Sequence, residues 1–201
     1  MQTVIEYIIY FLALLNPFAL FVYTLPLKKE FGIGRYIKIM TFASLISASI
    51  YLLFALSGTY LFEHVLKIRF DSLRIFGGVV LLAFALSYIV QGKESFITIK
   101  GKLSKIASEV ALPFMVGAGT IALSVVIGGE FSALGTILTI IMVMIANLAI
   151  VACLAFVRHK LVDRFKTVFD ENIEIILRLN GFIVGAFGVD LIITGIQNIT
   201  A

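Results

Sequence analysis

Five stretches of the chain carry no charged residue at all: Tyr7–Leu27, Ile39–Phe62, Ile75–Gly92, Val110–Gly129 and Phe131–Val157. A sixth, Leu179–Ala201, is broken only by Asp190. Each is close to the ~20 residues that carry an α-helix across a bilayer core. None shows the polar stripe a helix needs to face water, so a soluble bundle of core helices is a poor fit. Nor do polar and apolar residues alternate as in a membrane barrel. The pattern predicts an all-α membrane protein with six transmembrane helices in a single domain, 1–201.

The blocks fall into two sets of three. Leu73-Arg74-Ile75-Phe76-Gly77 and Leu177-Arg178-Leu179-Asn180-Gly181 share Leu-Arg-x-x-Gly, and each runs through a Val (Val80, Val184) into a long apolar block. Pro17-Phe18 in the first block and Pro113-Phe114 in the fourth form a fainter pair. The expected organisation is therefore two three-helix repeats, approximately 1–92 and 106–201. An odd number of crossings per copy forces the second copy to insert upside down. Inverted repeats with helix-breaking residues at matching places are a signature of secondary transporters.

Composition agrees with the pattern. The chain is 61% hydrophobic, with a mean hydropathy of +1.10, well above the roughly 45–50% apolar content of a soluble domain. The net charge of +4 comes from the loops, so it reports topology and not nucleic-acid binding. Lys28, Lys29, Arg35, Lys38, Lys93, Lys100, Lys102, Lys105, Arg158, Lys160, Arg164, Lys166 and Arg178 fall on one side of the predicted topology. Only Lys67, Arg69 and Arg74 fall on the other. Thirteen against three places the odd loops in the cytoplasm and both termini outside. The first block lacks a basic start and a small-residue cleavage pattern, so it is expected to be a retained span. The lone Cys153 lies within a span, so disulfides are not expected.

Asn16-Pro17 sits in the middle of the first span, where proline removes a backbone donor. Asn before Pro is also a favoured N-cap and first helical residue. The first span is therefore expected to be two half-helices, the second starting at Pro17. In the fourth span, Gly117-Ala118-Gly119-Thr120 permits an unwound segment, with Thr120 as a candidate cap. In inverted repeats the two half-helix N-termini would meet at mid-depth, making a pocket for a small anionic group. Asn16, Pro17, Phe18, Ala19, Gly117, Ala118, Gly119 and Thr120 are the candidate substrate site. Asn147 and Asn180 are further cavity candidates, because a buried carboxamide is costly unpaired.

Asp190 is the one acidic residue well inside a span, either a proton relay, an ammonium partner or a structural pair. The serines of span two (Ser44, Ser47, Ser49) and Gly77-Gly78, Gly181 and Gly185 read as helix-packing positions. Gly128-Gly129 is expected to form the short turn between spans four and five.

Asn16-Pro17-Phe18, Pro113 to Thr120 and Arg178-Leu179-Asn180-Gly181 together resemble the MarC family of prokaryotic inner-membrane proteins, over nearly the whole chain. Ala19 stands near the glycine usual after Asn-Pro, and Ala118 replaces the proline of a Gly-Pro-Gly motif. The resemblance implies a multi-pass protein of the prokaryotic plasma membrane that transports small neutral amino acids such as glycine and alanine. It implies too that Asn16, Pro17, Gly117, Gly119 and Thr120 lie at the transport site. The expected activity is thus secondary transport of a small zwitterion by alternating access, as an exporter or exchanger.

No nucleotide-binding loop, metal-ligand cluster or other cofactor motif occurs; proton or Na⁺ coupling stays open, with Asp190 the proton candidate. Catalysis is not expected, since His64 and His159 fall on opposite faces and no span pairs two carboxylates. An ion channel or a non-transporting membrane protein is the alternative, though the spans offer few polar residues to line a pore.

Overall fold

Thr3 opens the first helix with a reciprocal cap. Its hydroxyl accepts from the Glu6 amide, and the Glu6 carboxylate accepts from the Thr3 amide. The computed structural model describes residues 3–90 and 103–200, apart from the side chains of Ser104, Pro113 and Phe114. Lys93, Lys100 and Lys102 of the third loop lie outside the described residues.

Helix α1 (Val4–Leu15) stops at Asn16, and α2 (Pro17–Ser57) starts at once behind it. A wide turn at Leu61–Val65 leads to α3 (Phe70–Val90). Helix α4 (Leu103–Val110) passes through a second wide turn, Ala111–Met115, into α5 (Ala118–Glu130). Helices α6 (Ala133–Lys160) and α7 (Asp163–Thr200) follow. The described residues are all-helical, without a strand.

Four helices, α2, α3, α6 and α7, are long and apolar enough to cross a membrane, while α1 and α5 are shorter apolar helices. Phe76, Leu86, Leu138, Ile145, Phe182 and Ile183 are exposed. That outward display of large apolar side chains suits hydrocarbon surroundings and not water.

Glycine sets the closest helix contacts. A Cβ on Gly78 of α3 would collide with the Gly188 carbonyl of α7, and one on Gly181 would come within 3.2 Å of the Ala85 carbonyl oxygen. Without a hydrophobic driving force between helices in lipid, such backbone approach is what holds α3 to α7.

A second packed pair is α6 with the part of α2 beyond its bend. Tyr36, Ile39, Met40, Ala43, Ser44, Ser47, Tyr51 and Ala55 are the buried stripe on α2. Thr136, Thr139, Ile140, Val143, Met144, Asn147, Val151 and Ala155 are the buried stripe on α6. The two stripes have the same spacing, each position differing from its counterpart by one hundred. Contacts repeat in the same way: Lys28 donates to the Ala155 carbonyl, and Gly128 lies against the Ala55 carbonyl.

Three sequence expectations are corrected here. Lys28–Lys38 is not an extended loop: helix runs on either side, and the break between them is confined to Gly32, whose φ of +72° and ψ of 168° leave helix geometry. Lysine, arginine and glutamate are good helix formers, so charge alone does not end a helix. Helix α7 likewise takes up the polar segment before Leu179, starting at Asp163. Gly128-Gly129 is not the turn between α5 and α6 but the end of α5; the turn is Phe131-Ser132, where the Ser132 hydroxyl accepts from the Gly135 amide.

Candidate binding site at the helix breaks

At the first break Asn16 adopts a left-handed backbone, with φ 46° and ψ 74°, a conformation asparagine tolerates better than most residues. Its side-chain Oδ1 accepts from the Ala19 amide at 3.0 Å, and its carbonyl accepts from the Leu20 amide at 3.0 Å. Pro17 has no N–H, so the first turn of α2 is largely satisfied by Asn16 itself. Proline has a second effect, on α1: the Ala13 carbonyl would normally accept from residue 17. The Asn180 side chain of α7 supplies the missing donor, 3.3 Å away.

The second break is built differently. Val116 and Gly117 are both extended, and α5 begins at Ala118 with Gly117 as its N-cap. Thr120 does not cap a later start, as the sequence suggested. It sits in the first turn and reaches back, its hydroxyl oxygen accepting from the Gly117 amide at 3.0 Å. The same hydroxyl lies 2.9 Å from the Gly117 carbonyl and 3.2 Å from that of Met115. Tyr51 of α2 donates to the Met115 carbonyl at 2.6 Å and holds the unwound strand from the other side. Glycine offers no side-chain acceptor, so the first-turn amides of Ala118 and Gly119 keep no partner among the described residues.

Ala118 and Gly119 are among the residues that line a small cavity of about 30 Å³, together with Leu14, Leu81, Tyr88, Met115, Gly117 and Thr120. It has room for roughly one or two waters. Helix α3 closes one side at Gly77, where a Cβ would stand 2.9 Å from the Gly119 nitrogen. The absence of a side chain there lets α3 lie against the start of α5.

A larger cavity, about 350 Å³, shares Leu14 and Gly119 with the small one. Tyr7, Tyr10, Arg74, Asp190 and Thr194 bring polar groups to its wall. Arg74 pairs with Asp71 at 3.1 Å, and Asn198 donates to the same carboxylate oxygen at 3.0 Å. Asp190 is exposed and makes no ion pair or hydrogen bond among the described residues.

At the opposite end of the bundle a salt bridge ties α6 to α7, beside a cavity of about 210 Å³ lined by Phe21, Pro26, Lys29 and Asp170. Arg158 of α6 grips Asp170 of α7 through two bonds, 2.7 and 2.8 Å, the strong forked geometry of a guanidinium on a carboxylate. Lys28 is buried on the Ala155 carbonyl beside them. Arg178 joins α7 to the end of α3 at the Ile89 carbonyl, 3.0 Å away, while holding Glu174.

Of the residues singled out in the sequence, Gly117, Ala118, Gly119 and Thr120 line the small cavity and Asp190 the large one. Asn16, Pro17 and Ala19 are buried and Phe18 half-buried at the facing break, and none of the four walls either cavity. Asn147 is fully buried on α6 with neither amide atom partnered, away from both cavities. Asn180 braces α1 without entering a cavity wall. Sequence reading missed Leu14, Tyr51, Leu81, Tyr7 and Tyr10 as site residues, and took Gly77 as a packing position only. The first five are apolar or aromatic residues of apolar runs, and nothing in such a run marks which members face a cavity.

Residues 1–200 match the model of a family described as MarC family integral membrane protein. A UPF0056 membrane protein of Pyrococcus horikoshii is 28% identical over 172 residues, covering 84% of this chain and 81% of its own. One from Aquifex aeolicus is 26% identical over 94% of this chain and 89% of its own. One from Methanocaldococcus jannaschii is 25% identical over 92% and 91%. No solved structure gives a significant match.

Proposed function

The chain belongs to the MarC family of integral membrane proteins, and from that premise we propose that it is a secondary transporter of small neutral amino acids. The observation that carries the reading is the interrupted helix at Gly117. Its two unpartnered amides belong to residues that line a cavity too small for anything but a compact ligand. A helix N-terminus with free donors and its positive dipole end is suited to a carboxylate. The amides of Ala118 and Gly119 take that role in the proposal. The first break supplies no ligand donor in this scheme, since Asn16 already satisfies most of the donors there.

The same proposal takes the helices as six spans in two inverted repeats, 1–92 and 106–201. The matched burial stripes of α2 and α6 support it. So do the reciprocal contacts of Lys28 with Ala155 and Gly128 with Ala55, which a two-fold axis lying in the membrane plane would generate. Transport then proceeds by one repeat rocking against the other around the helix breaks. With the lysine-rich face in the cytoplasm and both termini outside, the Arg158–Asp170 pair and Lys28 are the ties that rocking would make and break on the cytoplasmic side. No catalytic step and no resident cofactor enter this scheme; Asp190 is its candidate for proton coupling, and Na⁺ the alternative driving ion.

Purified protein in vesicles, given labelled glycine or alanine with and without a pH or Na⁺ gradient, tests it. Saturable uptake blocked by excess unlabelled neutral amino acid is the expected result. Flux that rises linearly without saturating would indicate a pore, and no uptake of any neutral amino acid would refute the assignment.

A further inference from the structure

The larger cavity carries one positive and one negative group, Arg74 and Asp190, on walls otherwise made of aromatic and aliphatic side chains. We propose that this cavity is a docking site for a zwitterionic α-amino acid on its way to the helix break, with Arg74 taking the carboxylate and Asp190 the ammonium. The inference rests on the transporter reading above and adds a second, distinct binding position to it.

Three features support the assignment. Arg74 is positioned with donors to spare. Its guanidinium lies over the Phe70 ring at 4.8 Å and gives one nitrogen to Asp71, leaving others of its five N–H groups for a ligand. Asp190 is unpaired among the described residues, although an apolar span is a costly place for a lone carboxylate. A ligand ammonium supplies the missing counter-charge. The phenols of Tyr7 and Tyr10 also reach this wall without a hydrogen-bond partner among the described residues. Both rings are steadied edge-on, Tyr7 by Phe131 and Tyr10 by Phe187.

The charge balance also sets specificity. With Asp71, the partner of Arg74, counted beside Asp190, these charged groups sum to minus one, so Arg74 is shared between Asp71 and the ligand carboxylate while Asp190 meets the ammonium. An anionic amino acid adds a further negative charge beside Asp71 and Asp190 and is disfavoured. The volume, about 350 Å³, accommodates side chains well beyond a methyl group, whereas the cavity behind Gly119 measures only about 30 Å³. Larger neutral amino acids are therefore expected to dock and compete without being carried.

The test uses the full chain in vesicles, with labelled alanine uptake by wild type, Asp190→Asn and Arg74→Gln. Leucine, propionate and ethylamine serve as unlabelled competitors. The expected result is a KM raised tenfold or more in each variant, with the maximal rate of Arg74→Gln held within twofold. Leucine should inhibit wild type competitively without being accumulated. Propionate and ethylamine, each lacking one pole, should inhibit at least tenfold less well than alanine. Asp190→Glu, which keeps the charge, should recover most of the affinity and separates charge from packing. Saturable wild-type uptake with both variants unchanged in KM overturns the docking site and leaves the transporter reading standing. A lower maximal rate at constant KM in Asp190→Asn overturns it too, by assigning Asp190 to a later step. Absence of any wild-type uptake removes both readings together.

Discussion

Gly77→Ala is the sharpest probe of the helix break, because it adds one methyl group where the backbone of another helix already lies. The new Cβ would stand 2.9 Å from the Gly119 nitrogen and 3.0 Å from the Ala118 carbonyl carbon, where ordinary contact begins at 3.4 Å. Helices α3 and α5 must therefore separate by about half an ångström, the difference between 3.4 and 2.9 Å. Helix α3 cannot retreat freely, since Gly78 on its next position is held against the Gly188 backbone of α7. Overpacking of this kind costs roughly 1–3 kcal/mol. If that cost falls on the geometry of the Ala118 and Gly119 amides, alanine uptake at low concentration should drop about 5- to 150-fold, since each 1.4 kcal/mol is a factor of ten. Gly129→Ala, at the far end of α5 and away from both cavities, is the matched control: its Cβ would have nothing within 4 Å, so its uptake should stay within twofold of wild type. Initial rates in vesicles, together with thermal unfolding in detergent, read both quantities. Wild-type rates and an unchanged melting temperature for Gly77→Ala would show that α3 is not clamped against α5. A lowered melting temperature with normal uptake would make Gly77 a packing residue only.

Other substitutions separate the remaining parts of the site. Gly119→Val should abolish uptake while the protein still inserts, because its Cβ would meet the Leu81 side chain at 2.6 Å and two further methyls crowd the cavity; normal uptake would argue against a ligand at this break. Asn16→Ala removes the cap on Ala19 and leaves a strained left-handed residue, for a loss of about 1–2 kcal/mol, with Asn16→Gly recovering part of it in thermal unfolding. Asn180→Leu leaves the Ala13 carbonyl without a donor and should cost about 1–3 kcal/mol in the same measurement. Gly128→Ala places a methyl group on the Ala55 carbonyl, backbone against backbone, and should prevent accumulation of monodisperse protein on size exclusion.

The membrane character of the chain was legible because hydrocarbon demands long uncharged helices, and that demand is written one residue at a time. The break at Asn16 was legible for a related reason: proline lacks a donor wherever it falls, and asparagine is a favoured cap beside it. Other features depended on partners distant in sequence. That the Ala13 carbonyl orphaned by Pro17 is served by Asn180 needs the packing of α7 on α1. Gly128-Gly129 looked like a turn because two glycines often form one; both lie in α5, and at Gly128 the missing side chain serves the close approach of Ala55 instead. Thr120 lines the small cavity but takes another capping role than expected, since Gly117 can adopt the extended N-cap conformation with no side chain of its own. The cavity walls themselves, Leu14, Leu81 and the tyrosines, were invisible, because a leucine facing a pocket and one facing lipid are the same letter.

The last helix is a lever. Its 38 residues make a rod about 57 Å long at 1.5 Å per residue, nearly twice the roughly 30 Å of hydrocarbon it has to cross. The surplus lies at the Asp163 end, ahead of the glycines that fasten the rod to α3. A swing of only about 10° about that fastening would carry a point 25 Å away through roughly 4 Å, more than a hydrogen bond can stretch. Asp170 rides on that arm, so a small change of angle deep in the bilayer is enough to prise it from Arg158 at the surface.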